Sequence, residues 1–136
     1  MAMLKRTAAT TIFALLCICG LVRGDPDTST VGYSCSTSTY QGTDLFKINL
    51  DDVLHHLRDD TAYNKFNYYY QSPWPGSTPI CYGNGACNGA LQVYDCVPCM
   101  TSAVTQIRSL CPMSVGAQVQ LGDCRARYEQ YDFTEK

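Results

Sequence analysis

The 136-residue chain is poor in the groups that enzymes and metal proteins rely on. It holds two histidines, His55 and His56. Neighbouring residues leave a helix in different directions, so one ion is poorly served by both. There is no serine or cysteine in a defensible arrangement with histidine and acid, no glycine-rich phosphate cradle and no pair of catalytic carboxylates. An enzyme is therefore not expected. Cys96-Val97-Pro98-Cys99 has no second C-x2-C to complete a zinc site, and no βαβ pattern to make it a thioredoxin-like redox motif. No metal and no cofactor are expected. No Asn-x-Ser/Thr sequon occurs, so N-glycosylation is not expected either. Nor is there any long internal repeat. A basic excess is also missing, because the formal net charge is −2. That argues against nucleic acid as a partner and against charge-driven membrane lysis.

What is present begins with a leader. Lys5 and Arg6 precede an uncharged, apolar run over residues 7–22, and the small residues Val22 and Gly24 suit the last positions before a cleavage site. This is the three-part pattern of a secretory signal peptide over residues 1–24. The run is shorter than the roughly 20 apolar residues of a membrane helix, and no second run follows. Removing 24 of 136 residues leaves 112, with 7 basic against 12 acidic side chains, a net of −5. The expectation is one domain of ordinary size over 25–136, secreted to the extracellular space (the apoplast) with no membrane span.

Of the nine cysteines, Cys17 and Cys19 lie in the leader. Cys35, Cys81, Cys87, Cys96, Cys99, Cys111 and Cys124 remain. In a secreted chain of this size they read as a disulfide framework, whose connectivity the spacing alone leaves open. Seven is odd, so one must stay free or bond another chain.

The periodicity is mixed. A short strand is expected over residues 32–38. Thr43 or Asp44 then caps a helix carrying Leu50, Val53, Leu54 and Leu57 at i, i+3, i+4 and i+7, ending near Asp60. Asp51, Asp52, His55, Arg58 and Asp59 take its outer face. Phe66, Tyr68 and Tyr70 alternate with Asn67, Tyr69 and Gln71 as in a strand. Residues 72–79 hold three prolines and a glycine and read as a loop. Asn84-Gly85 is expected to turn a hairpin between strands 80–82 and 86–88. Asp95 is expected to open a second helix with Cys99, Ala103, Ile107 and Leu110 on one face, stopped by Pro112. Residues 118–121 and 125–129 alternate as two half-exposed antiparallel strands, the second with Arg125, Arg127 and Glu129 on one side. Irregular mixing of helices and strands predicts an α+β fold with an antiparallel sheet.

The stretch from Cys87 onward carries a resemblance. C-x8-C-x2-C, then Cys111, then Gly116-Ala117-x-Val119-Gln120-Leu121-x-Asp123-Cys124, then Tyr128-Glu129-Gln130, is similar to the ginkbilobin-type domain. This plant cysteine-rich salt-stress/antifungal domain also occurs in tandem in cysteine-rich receptor-like kinases and plasmodesmata-located proteins. The likeness covers nearly all of 25–136 and points to the single-domain secreted branch. It implies two helices packed on a five-stranded antiparallel sheet, stapled by disulfides Cys35–Cys111, Cys87–Cys96 and Cys99–Cys124. Cys81 is then left over, as a free thiol in preference to the hook of a linked dimer, and a monomer is expected.

The resemblance also implies a function, that of a plant defence-type, antifungal, mannose-lectin-like protein. The family's mannose site uses an asparagine after the first cysteine, an arginine in the GAxVQL stretch and the glutamate of YEQ. Those positions hold Ser36, Gln118 and Glu129 here, so one of three is kept. Arg127, on the strand face of Glu129, is offered as a partial substitute for the lost arginine. Each weakened charged hydrogen bond costs about 1.5–3 kcal/mol, enough for two such changes to erase a weak monosaccharide site. The expected partner is therefore a carbohydrate such as mannose or a fungal cell-wall glycan. The alternative is a non-lectin extracellular module that docks proteins. Mass mapping of the natural protein is expected to find no reduced thiol at Cys87, Cys96, Cys99 or Cys124 and no bound zinc. Either finding would overturn the assignment.

Overall fold

The computed structural model describes residues 25–73 and 79–135. The expected signal peptide, 1–24, and the centre of the proline-rich loop, 74–78, lie outside the described residues. The elements run β1 (Thr30–Cys35), α1 (Leu45–Asp60), a 3₁₀ turn (Thr61–Tyr63), β2 (Asn67–Ser72), β3 (Cys81–Cys87), α2 (Val93–Leu110), β4 (Ala117–Leu121) and β5 (Cys124–Glu129). The five strands form one sheet in the order β1-β4-β5-β3-β2, and every pairing is antiparallel. Two helices, five strands and an α+β arrangement are what the resemblance implied. Among the described residues no helix is long and apolar enough to cross a membrane.

Both helices lie on one face of the sheet because each has one apolar face to hide. In α1 the stripe Phe46, Leu50, Val53, Leu54 and Leu57 is buried, at the helical spacing seen in the sequence. In α2 the buried set is Cys96, Cys99, Met100, Ala103, Val104 and Ile107. The sheet answers with alternate residues, Ala117, Val119 and Leu121 from β4 and Cys124, Ala126 and Tyr128 from β5. A side chain of leucine size moved fully out of water contributes roughly 1.5–3 kcal/mol, so this single layer holds most of the folding energy. The Tyr128 hydroxyl, at the bottom of that layer, donates to the Ser114 carbonyl at 2.8 Å. Burial pushes the phenol up, as do the neighbouring Tyr40, Cys81 and Glu129.

The hairpin expected at Asn84-Gly85 does not form. Residues 81–87 are one unbroken central strand, pairing β2 on one side and β5 on the other. The glycines serve close approach here rather than a turn. A Cβ on Gly83 would stand 2.3 Å from Val53 Cγ1, and one on Gly85 would stand 2.4 Å from Thr61 Oγ1. The helix layer therefore sits almost on the β3 backbone. Asn84 points to the other face and is fully buried, its Nδ2 donating to Asn67 Oδ1 at 2.9 Å and to the Tyr68 carbonyl at 3.1 Å. Tyr68 and Tyr70 lean on the core from the edge strand β2.

Boundaries shift as well. The first strand is Thr30–Cys35, two residues earlier than expected, because the chain bends after Cys35 to bond Ser36 N–H to the Gly116 carbonyl. The second helix starts at Val93, capped by Gln92, so Asp95 belongs to its first turn, where a negative charge suits the helix dipole. Asp44 does cap α1 by position, but its carboxylate accepts the Gln41 N–H rather than a helix amide.

Three disulfides join Cys35 to Cys111, Cys87 to Cys96 and Cys99 to Cys124, closing sequence separations of 76, 9 and 25. By loop entropy these restrict the unfolded chain by about 4.5, 2.5–3 and 3.5 kcal/mol respectively. Cys81 is unbonded and fully buried. Burial, and secondarily the charge of Glu129, pushes its thiol far up, so it stays protonated and has no surface to offer a second chain.

Gly83→Ala is expected to destabilise the fold by about 1–3 kcal/mol, because the new methyl overpacks Val53. Gly89→Ala, where a Cβ meets nothing within 4 Å, is expected to stay within about 0.5 kcal/mol. Urea denaturation of the oxidised protein measures both, and equal midpoints would refute the close-approach account.

Candidate functional site

The helices cover one face of the sheet, and the candidate residues stand on the other. In β4, Gln118 and Gln120 alternate outward from buried neighbours. In β5, Arg125, Arg127 and Glu129 alternate against buried Cys124, Ala126 and Tyr128. Register places Gln118 across from Arg127, Gln120 across from Arg125, and Arg127 across from Asn84.

Ser36 and Glu129 both reach Gly116. Ser36 donates its N–H to the Gly116 carbonyl at 2.8 Å. Glu129 lays its carboxylate against the Gly116 backbone, since a Cβ there would fall 2.2 Å from Oε2. Gln118 stands in β4, two residues beyond Gly116. The Ser36 backbone and the Glu129 carboxylate, 93 residues apart in sequence, thus meet at Gly116. Ser36 is half-buried and its Oγ accepts the Ser38 N–H at 3.3 Å, while Gln118 is exposed.

Arg127 proves to be occupied. Its Nε donates to Glu129 Oε1 at 3.3 Å, one Nη to the Glu135 carboxylate and the other to the Tyr131 hydroxyl at 3.2 Å. The Phe133 ring packs under the guanidinium at 4.2 Å, the attractive cation–π geometry. Burial works against the charge, but the bonds to Glu135, Tyr131 and Glu129 outweigh it and push Arg127 above the ordinary arginine value. The C-terminal segment 130–135 therefore folds back over the outer face. The Glu135 N–H donates to the Tyr69 hydroxyl at 2.9 Å, and Phe133 meets the Tyr69 ring edge-on. The guanidinium offered as a ligand partner bonds Glu129 and the tail in this structure.

Sequence reasoning did not include this tail. Its aromatic and acidic residues, Tyr131, Phe133 and Glu135, alternate after the last strand, but alternation alone does not say which face they will cover. Arg125 was seen only as a face-mate of Arg127. Among the described residues it has no carboxylate within ion-pair distance, and its Nε is buried without an acceptor. Beside it is an open cleft of about 320 Å³, bordered by Gly32, Tyr33, Gln118, Gln120, Arg125 and Glu135.

The histidines lie elsewhere. His56 stacks on Tyr70 at 4.1 Å, with Asp60 at 2.7 Å and Asp52 at 3.5 Å. His55 pairs with Asp59 at 3.1 Å. Tyr70 donates to Asp52 at 2.9 Å, and burial together with that carboxylate pushes its phenol up to about 12. This cluster fastens β2 to α1, on the helix side of the sheet.

Glu135→Gln is expected to loosen the tail while leaving the fold intact. Amide protection at residues 131–135 should fall in hydrogen-exchange NMR, and global stability should change by less than about 1 kcal/mol, since the pair is partly solvated. Unchanged protection would show that Arg127 does not anchor the tail.

Comparison with known proteins agrees with this architecture. The model of the salt stress response/antifungal family matches residues 34–131. Antifungal protein ginkbilobin-like protein 1 of Picea sitchensis is 32% identical over 123 residues, 90% of this chain and 92% of that protein. Antifungal protein ginkbilobin-2 of Ginkgo biloba is 32% identical over 121 residues, 89% of this chain and 90% of that protein. Among solved structures, the tandem DUF26 ectodomain of the Arabidopsis thaliana cysteine-rich receptor-like protein PDLP8 superposes with a TM-score of 0.72 at 28% identity. That match covers 78% of this chain and 50% of the ectodomain, so the chain spans about half of it. With its cysteine pattern, its disulfides and its two-helix, five-strand sheet all in agreement, the chain belongs to the salt stress response/antifungal family.

Proposed function

We propose that this chain is a secreted, defence-related, antifungal carbohydrate-binding domain. Residues 1–24 are its signal peptide, 25–136 form the single mature domain, and it acts in the apoplast. A mannose-type hexose, free or in a fungal wall glycan, docks at the corner made by Ser36, Gln118 and Glu129. The observation that supports this reading is that the Glu129 carboxylate and the Ser36 backbone both reach Gly116, two residues before Gln118. Support also comes from relatives of nearly the same length whose names describe antifungal proteins.

The chemistry is that of a small polyol site. A carboxylate accepts from two sugar hydroxyls, a serine hydroxyl both donates and accepts, and a glutamine amide does the same at longer reach. Arg127 acts as a positioning residue, holding Glu129 Oε1 at 3.3 Å and leaving the rest of the carboxylate to the ligand. Gln118 brings no charge, so the site is weaker than one built with arginine.

The second reading, a protein-docking module, draws on the likeness to a receptor-like ectodomain and on the two replaced positions. The two readings separate on a mannose or yeast-wall resin. A lectin is retained and released by free sugar, and Glu129→Ala is expected to weaken binding about 10–100-fold, the loss of one charge-assisted bond. Ser36→Asn with Gln118→Arg, restoring the family's residues, is expected to tighten it. Passage of the unaltered protein straight through the resin would favour the docking module.

A further inference from the structure

The cleft beside Arg125 has a composition that neutral-sugar binding does not use. Four of the residues that border it, Arg125, Gln120, Gln118 and Gly32, each bring a distinct property. Arg125 brings a cation with no carboxylate within ion-pair distance among the described residues. Gln120 spends its Nε2 on the Leu121 and Cys124 carbonyls at 2.7 and 3.4 Å, which leaves its Oε1 unengaged. Gln118 is exposed, with both ends of its amide available. Gly32, paired with Gln120 on this face, has no side chain, and a Cβ there would meet nothing within 4 Å. The cleft stays open because of that glycine.

We propose that this cleft is a subsite for an acidic sugar, a hexuronate whose carboxylate pairs with Arg125. Its hydroxyls bond the amides of Gln118 and Gln120. The proposal rests on the reading of the outer face as a carbohydrate surface, and it names a ligand class that the Glu129 corner does not require. The charge balance selects a single negative charge. Arg127 is neutralised by Glu129 and Glu135, and Glu135 borders the same cleft. Arg125 is then the cation at the cleft with no carboxylate partner among the described residues, and a ligand bearing one carboxylate matches it. A bare anion, moreover, has no use for a glutamine oxygen, whereas a sugar hydroxyl donates to one. At about 320 Å³ the cleft is at the small end of ligand sites. The net charge of −5 over residues 25–136 disfavours long polyanions, so a short uronate is the ligand expected.

The test is calorimetric titration of the full oxidised protein with galacturonic acid, galactose, mannose and inorganic phosphate. Galacturonic acid is expected to bind at least about tenfold more tightly than galactose, the same ring without the carboxylate. Arg125→Gln is expected to erase that difference. Gly32→Val fills the cleft from a position where the fold has room. It should weaken galacturonic acid binding while circular dichroism and Tm stay unchanged, which separates blocking from unfolding. Equal affinity for galactose and galacturonic acid overturns the proposal, as does a preference that survives Arg125→Gln. Displacement by phosphate at equal concentration overturns it too, since that would mark a general anion site. Mannose binding lost in Glu129→Ala, with no preference for the uronate, would sink this inference and leave the proposed function standing. Uronate binding that needs Arg125, without mannose binding, would do the reverse. No binding of any sugar removes both.

Discussion

The fastening of α2 governs this molecule. Every disulfide has one sulfur in that helix or at its cap: Cys96 and Cys99 in the first half, Cys111 immediately after its end. Their partners sit at the ends of β3, β5 and β1. The helix is thus pinned to the sheet at both ends, and β4 is trapped between two pinned strands. A domain of this size buries a modest core, and restricting its unfolded state by several kcal/mol offsets much of what that core lacks. The edge strand β2 has no disulfide and only one pinned neighbour, and it depends on the stacking of His56 on Tyr70, the Tyr70–Asp52 bond and contacts beneath.

Because all the staples are on the helix side, the opposite face of the sheet is spared structural duty. Polar and charged side chains can stand there without loss to the core. The alternation that buries Ala126 and Tyr128 turns Arg125, Arg127 and Glu129 outward. One guanidinium is then consumed by the returning tail and the other is left unpaired. Two arginines two residues apart on one strand have acquired different roles, one holding structure and one free to meet a ligand. What separates them is the reach of Glu135 and Phe133, which engage Arg127.

Much of this was legible in the residues. The stripe Leu50, Val53, Leu54 and Leu57 has helical spacing and is buried as such, and the alternation over 118–121 and 125–129 became β4 and β5. The cysteine motif carried the family. The failure at Asn84-Gly85 is instructive. A turn-forming pair was read by its local preference, but glycine also permits close approach, and Val53 and Thr61, distant in sequence, decided which use applied. The same limit hid the tail, because nothing local to residues 130–135 says that Arg127 waits above them.

By itself the sequence determined the pattern of what must be hidden, the presence of a disulfide framework and the identity of the fold family. Those follow from periodicity and composition, which act within a few residues. Tertiary structure alone decided that Ser36 and Glu129 both reach Gly116, that Arg127 bonds the returning tail and that Arg125 borders an open cleft. Each of these is a distance between atoms remote along the chain, and it exists only after two helices have been packed and clamped onto one side of the sheet.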